Sequence, residues 1–208
     1  MRRVLARWPA LKRHLVYADP RTYWTLRGGV DYFREQEGQP ARTLRSCWMA
    51  ERIACYRPLS ILEVGCGYGK QLRRLREVVG CELVGLDFSP TQLALARDYV
   101  GEDRGIHLVL GTGARLPFAD QTFDLVLTSA VLLHNPPRVA EAMRHEVVRV
   151  ARRWAAHNED LDVSYNRYGY DTAEWYRSAG FALAENGPIP CEINGPPSQF
   201  CVAEMIKR

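Results

Sequence analysis

Lysine is nearly absent from this chain. Of 28 Lys and Arg residues, only Lys12, Lys70 and Lys207 are lysine, a bias of the kind that GC-rich coding sequences often produce. No stretch approaches 18 consecutive apolar residues, so no membrane-spanning helix is expected. The start, Met1-Arg2-Arg3-Val4-Leu5-Ala6-Arg7, is basic but has no apolar core. Neither secretion nor membrane insertion is expected, and the location read from the sequence is cytoplasmic. The six cysteines, at 47, 55, 66, 81, 191 and 201, form no C-x-x-C pair and show no zinc-type spacing with histidine, so no metal is expected. Cys66 and Cys81 fall at predicted core or turn positions, which favours free thiols in a reducing compartment. A dinucleotide G-x-G-x-x-G is also missing, because Lys70 stands where the third glycine would fall.

What remains is an ordinary soluble composition, 47% hydrophobic and 25% charged, in 208 residues. That length fits one α/β unit whose core needs no disulfide. The net charge of +4 is unevenly placed: Arg2, Arg3, Arg7, Lys12 and Arg13 precede any acid. This reads either as a solvated helical face or as a patch for a phosphorylated or nucleic-acid acceptor.

The segment Ile61-Leu62-Glu63-Val64-Gly65-Cys66-Gly67-Tyr68-Gly69-Lys70 carries the most information. A short apolar strand ends near an acid, breaks into alternating glycines, and leads into a helix from Tyr68 to about Val79. Glycine permits a sharp bend and leaves no Cβ where a ligand lies against the main chain, while the first helix amides face that ligand. G-x-G-x-G with Glu63 two residues ahead suits a nucleotide-type ligand that lacks a pyrophosphate and carries an amino-acid portion. A second strand, Cys81 to Asp87, also ends in an acid. Asp87 lies 18 residues beyond Gly69, near where a carboxylate accepts from ribose hydroxyls. Ser89-Pro90 then caps and opens another helix.

Taken with Gly85-Leu86-Asp87-Phe88-Ser89-Pro90, Leu116-Pro117-Phe118, Phe123 to Ser129 and Val131-Leu132-Leu133-His134, the segment resembles the class I S-adenosylmethionine (SAM)-dependent methyltransferases, in particular the small type-11-like group. The resemblance covers about residues 58 to 136. It implies SAM as cofactor and S-adenosylhomocysteine as product. Carried over by position, it puts the methionine end near Glu63, Gly65, Cys66, Gly67 and Gly69. Asp87 would hold the ribose, Phe88 would lie beside the adenine face, and Thr112, Gly113 and Ala114 would border the adenine edge. Ser129 and His134 would line the methionine side. Thr112 departs from the acid usual there, which shifts the adenine contact to the backbone of Gly113 and Ala114. No Pro-Gly-Gly turn precedes the fifth strand.

Residues 1–57 read as a helical N-terminal cap whose last helix, Ala41 to Tyr56, buries Leu44, Cys47, Trp48 and Ile53. Residues 58–208 read as the SAM-binding unit. Strands are predicted near 60–64, 81–87, 106–110, 123–128 and 154–159, with helices near 68–79, 89–100 and 137–152. Thr172 to Ala179 reads as a helix. Phe181 to Glu185 and Phe200 to Ile206 read as an antiparallel pair joined by a Pro- and Gly-rich loop. The fold class is thus α/β: a Rossmann-like, doubly wound seven-stranded sheet. The resemblance implies order 3-2-1-4-5-7-6 with an antiparallel last strand.

Methyl transfer from a sulfonium is an in-line displacement that needs a base only when the acceptor is protonated. His134 reads as a wall of the cofactor pocket or as that base. His157 reads as a structural hydrogen-bonder or as part of the acceptor pocket. Three tyrosines and an arginine within seven residues, Tyr165, Arg167, Tyr168 and Tyr170, suit an aromatic lid over an acceptor or a loop packed on the sheet. Tyr168 joins His134 and His157 as a catalytic candidate. Tyr23 and Arg27, one helical turn apart, are candidates to close over SAM, with Arg27 toward its carboxylate.

The function expected is methylation of an oxygen or nitrogen of a small-molecule acceptor. The alternatives are an RNA or protein methyltransferase, a nicotinamide oxidoreductase, and a non-catalytic subunit that keeps the SAM fold. Nucleic-acid and membrane partners are not expected, and a homodimer is left open.

Overall fold

The runs Ile61-Leu62, Leu83-Val84 and Leu125-Val126-Leu127 put apolar side chains on both faces of their strands, which is stable only when a sheet is covered on both sides. The computed structural model describes residues 9–190 and 198–207 and shows that arrangement. The strands are β1 (Ser60–Val64), β2 (Glu82–Asp87), β3 (Ile106–Leu110), β4 (Phe123–Ser129), β5 (Ala151–Asp160), β6 (Phe181–Pro188) and β7 (Ser198–Lys207). They form one sheet in the order β3-β2-β1-β4-β5-β7-β6, as expected. The first five run parallel, and β7 is antiparallel to both its neighbours.

Side chains alternate across the sheet with the period of two that a strand imposes. Ile61, Leu125 and Leu127 face one core, with Met49, Ala50 and Ile53 of α4 (Pro40–Ala54) and Leu72 and Leu75 of α5 (Lys70–Val78). Leu62, Val64 and Val126 face the other, against Met143, Val147 and Val150 of α7 (Pro137–Val150) and Tyr176 of α8 (Thr172–Ser178). The remaining helices are α1 (Pro9–Val16), α2 (Pro20–Arg27), α3 (Val30–Glu37) and α6 (Pro90–Val100).

Two expectations need correction. Leu44 is exposed, not buried. Nine residues at 3.6 per turn set it about 180° round the helix from buried Ile53. Cys47 and Trp48 are half-buried, and Trp48 meets Phe200 edge-on at 5.3 Å. The fifth strand begins at Ala151, three residues earlier than expected, because α7 stops at Val150 and passes into β5 with no turn between. The Arg149 carbonyl accepts from the Gln121 amide at 2.8 Å, and Ala151 already pairs with Phe123. Cys191, most of the Pro- and Gly-rich loop, and the basic residues Arg2, Arg3 and Arg7 lie outside the described residues. The five described cysteines are free thiols.

Candidate active site at the carboxyl ends of the strands

Parallel strands that stop together leave a crevice beyond their carboxyl ends, and here β1, β2 and β4 do so. The turn after β1 takes a left-handed backbone at Gly65 (φ 74°), Gly67 (54°) and Gly69 (85°). At Gly65 a Cβ would stand 2.6 Å from Cγ2 of Val131, so the close approach there belongs to the β4 turn. At Gly67 the nearest atom, Gln92 Oε1, is 3.8 Å away, so that segment of main chain has open room for a ligand. The amides of Gly65 and Cys66 tie the turn to the Leu86 carbonyl at 2.7 and 3.0 Å.

Two carboxylates flank this turn. Asp87 accepts from the Gly67 amide through Oδ2 and from the Ser89 amide through Oδ1, both at 2.9 Å. Each oxygen keeps a second lone pair. Burial raises its pKa, and the amides oppose that. Glu63 is buried, and its Oε2 has no hydrogen-bond partner among the described residues. Burial first, then the nearby Asp87 charge, pushes its pKa well up. Gln92, in the first turn of α6, likewise buries an unpartnered Oε1 on the side of Gly67, with its Nε2 toward Gly28. Unsatisfied buried acceptors are costly unless a ligand supplies donors. The loop after β3 completes the rim. Gly111 donates to the Asp87 carbonyl at 3.0 Å, Thr112 is exposed, and Gly113 is packed so tightly on Met143 and Val64 that no Cβ would fit. Ala114 is half-buried, and Phe88 lies under the Arg21 guanidinium at 5.9 Å.

The helical cap sits over the glycine turn. Glu37 at the end of α3 accepts from Tyr68 at 2.9 Å and Tyr99 at 3.1 Å, and pairs with Lys70 at 3.0 Å. Burial alone would raise the Glu37 pKa, but these partners hold it below the ordinary carboxylate value. Tyr68 and Lys70, both inside the glycine segment, therefore fasten the cap. Arg27 pairs with Glu35 and lies over Tyr32 at 5.5 Å. Tyr23 turns toward Tyr165, hydroxyl to hydroxyl at 3.3 Å, and so sits with the acceptor candidates.

The acceptor candidates gather around the turn that follows β4. His134 Nδ1 lies 2.6 Å from the Asn166 carbonyl, which can only accept, so Nδ1 carries the proton and Nε2 keeps its lone pair. Burial lowers the His134 pKa to about 4. Tyr168 donates its amide to the Leu133 carbonyl at 2.7 Å and stacks on Tyr170, 6.2 Å between parallel rings. The Tyr170 hydroxyl donates to the Asn135 carbonyl, and Arg167 pairs with Asp162 at 2.8 Å. Arg13 of α1 fastens this loop by donating to the carbonyls of Ser164, Tyr165 and Arg167 beneath the Tyr168 ring.

His157 has a different place. It is fully buried, with Nδ1 2.8 Å from the Thr128 hydroxyl and Nε2 2.8 Å from the Tyr176 hydroxyl. Burial lowers its pKa to about 3. Both nitrogens are engaged by partners inside the fold, the arrangement a structural hydrogen-bonder has. The chain of bonds ends at Glu159, which the sequence reading did not single out. Its carboxylate accepts from Thr128 at 2.7 Å and from the amides of Val131 and Leu133 at 3.1 and 3.2 Å. Glu159 thus holds the turn bearing His134, and burial pushes its pKa up to about 7. Ser129 is tied to Asn158 by a 2.9 Å bond beside it.

Comparison with known proteins agrees with this architecture. The family described as "Methyltransferase domain" matches residues 61–153. Methyltransferase GfsG of Streptomyces halstedii is 34% identical over 134 residues, 62% of this chain and 45% of that protein. Sterol 24-C-methyltransferase erg6 of Schizosaccharomyces pombe is 32% identical over 108 residues, 50% of this chain and 28% of its own length. The chain therefore spans less than half the length of these curated relatives. The SAM-bound magnesium protoporphyrin IX methyltransferase ChlM of Synechocystis shares the fold, with a TM-score of 0.72 at 17% identity, covering 89% of this chain and 97% of that one. Strand order and glycine turn are those of the class I methyltransferase fold that SAM-bound ChlM shares, and residues 61–153 match a methyltransferase domain.

Proposed function

We propose that this chain transfers a methyl group from SAM to an oxygen or nitrogen of a small-molecule acceptor. The observation that carries the reading is Glu63, a buried carboxylate beside the glycine turn with one oxygen unpartnered. With Asp87 across the turn and Gly67 open between them, the residues present fit an adenosyl amino acid. Asp87 would accept from the ribose hydroxyls and Glu63 from the ammonium of the methionine portion. Gln92, Phe88 and the backbone of Gly113 and Ala114 would surround the base. When bound, SAM supplies a methyl group already activated on its sulfonium.

The protein's own part is to orient and to exclude water. The cap closes over the turn through Glu37, and the loop holding Tyr165, Arg167, Tyr168 and Tyr170 closes the acceptor side. Neutral His134, with Nε2 unprotonated, orients an acceptor hydroxyl or amine. Its low pKa makes it a weak base that takes the proton only as methyl transfer proceeds. The named acceptors of two relatives, a sterol and a porphyrin, support a small-molecule acceptor.

Calorimetry with S-adenosylhomocysteine tests the site. Wild type is expected to bind, and Asp87→Ala to lose at least about tenfold, roughly the 1.5–3 kcal/mol of a hydrogen bond to a charged group. A folded wild type that does not bind would refute the proposal.

A further inference from the structure

The cap reaches His134 in three ways, through residues that the cofactor site does not use. Tyr17, the residue after α1, is buried. Its hydroxyl donates to the His134 carbonyl at 2.7 Å and accepts from the Trp24 indole N–H at 2.9 Å. Burial pushes the Tyr17 pKa up, so the hydroxyl keeps the proton it donates. A phenylalanine would fill the same space but leave both partners unbonded. Trp24 of α2 also sets its ring against the imidazole, tilted 66° with 4.7 Å between centroids. The third contact runs through Asn166, whose carbonyl accepts from His134 Nδ1. The carbonyls on either side of it, of Tyr165 and Arg167, accept from Arg13 at 3.2 and 2.8 Å. Main chain gripped at both neighbours leaves the Asn166 carbonyl little freedom to turn away.

A histidine free in water exchanges its proton between the two ring nitrogens and gains a charge near pH 6.5. The cap opposes both. An Nδ1–H held by a fixed carbonyl leaves Nε2 as the acceptor. Among the described residues the ring neighbours of His134 are Trp24 and Tyr17, at 4.7 and 6.5 Å, and both belong to the cap. Loss of water is the largest influence on its charge. The guanidiniums of Arg167 and Arg42 also disfavour the imidazolium, while Asp162 and the Asn166 carbonyl favour it. Glu159 meets the same turn at the amides of Val131 and Leu133. The other ionisable neighbours of Tyr17 are Tyr23, Tyr165 and Tyr168.

We propose that Arg13, Tyr17 and Trp24 are positioning residues, which fix the tautomer of His134 and keep water from its ring. The inference rests on the part given to His134 in the proposed methyl transfer. It makes the cap a component of the acceptor site, because a base whose orientation depends on α1 and α2 is ready only while they are docked. The joint between these helices is itself fixed. The Tyr17 amide donates to the Arg13 carbonyl at 2.9 Å, and Asp19 caps α2 by accepting from the amides of Arg21 and Thr22.

Proton–nitrogen correlation spectra of the full chain, labelled with nitrogen-15 in histidine, test this without cofactor or acceptor. His134→Gln identifies the signals. In wild type His134 should carry its proton on Nδ1 and stay neutral down to about pH 5, a unit above its pKa of about 4. Trp24→Ala should raise that pKa by at least about one unit, tenfold in proton affinity, because water reaches the ring. Trp24→Phe, which keeps a ring there, should restore most of the shift. Arg13→Met frees the Asn166 carbonyl and should bring the Nε2–H tautomer to about a tenth of the neutral population or more. Circular dichroism checks that each variant is folded, and Arg13→Met carries the test if Trp24→Ala is not. A wild-type His134 that titrates near pH 6.5 would overturn the proposal, as would folded variants that keep its wild-type titration and single tautomer. A folded wild type that binds no S-adenosylhomocysteine would instead refute the methyltransferase reading, so the two failures are distinct.

Discussion

Replacing Glu159 by Gln isolates the one buried carboxyl whose proton affinity the turn after β4 has to tolerate. The group shifts from an ordinary value of 4.5 to about 7, chiefly by burial. A raised carboxyl means that the folded state binds more protons than the unfolded state between those two values. Stability from this group is therefore full below pH 4.5 and falls as pH rises toward 7. The shift corresponds to about 3 kcal/mol. His134 and His157, both lowered, act in the opposite sense below pH 6.5, and Glu63, Asp87 and Asp160 act in the same sense as Glu159. All five are common to both proteins and cancel in the difference. Urea unfolding of wild type and Glu159→Gln, measured at several values between about pH 4.5 and pH 7.5, should show the variant gaining about 3 kcal/mol relative to wild type. That equals about 1–2 M in midpoint at the slope expected for a small domain. Gln keeps an oxygen for the Val131 and Leu133 amides, so the turn itself should persist. Parallel stability curves would refute the reasoning, because they would mean that the buried carboxyl ionises as freely as it does in water.

Other outcomes follow from the same geometry. Gly65→Ala should cost at least about 2 kcal/mol in urea unfolding, since the position combines positive φ with a Cβ 2.6 Å from Val131. Adding Val131→Ala should relieve the overlap but not the backbone strain. His134→Ala should leave S-adenosylhomocysteine affinity within about threefold while lowering turnover of a hydroxyl acceptor by about 100-fold or more. The acid limb of wild-type turnover should fall near pH 4, not 6.5, because His134 must be neutral to accept and its pKa is about 4.

Much of the sheet was legible because its signals are local. The runs at 60–64 and 106–110 were bounded by turn residues, and the structure places β1 and β3 there. Strand order came with the family resemblance, which rests on a contiguous set of motifs. What escaped depends on partners distant in the chain. Tyr68 and Lys70 looked like part of a ligand turn, yet both are fastened to Glu37, about thirty residues earlier. Glu159 was visible only as a neighbour of His157, because its role needs the amides of Val131 and Leu133 brought over by strand pairing. Leu44 failed for a simpler reason: its helical phase opposes that of Ile53, and the apolar pattern of α4 permits two faces until the sheet selects one.

The direct passage from α7 into β5 leaves no slack at Val150 and Ala151. Because a strand alternates every residue, one added or deleted amino acid at that joint would turn the whole of β5 over. Asn158 would swap sides with His157 and Glu159, and the buried bonds from Tyr176 to the β4 turn would lose their middle. The joint thus behaves as a reading frame for the strand beyond it, and length changes in this half of the molecule are expected to be borne by the loops at 161–171 and beyond β6.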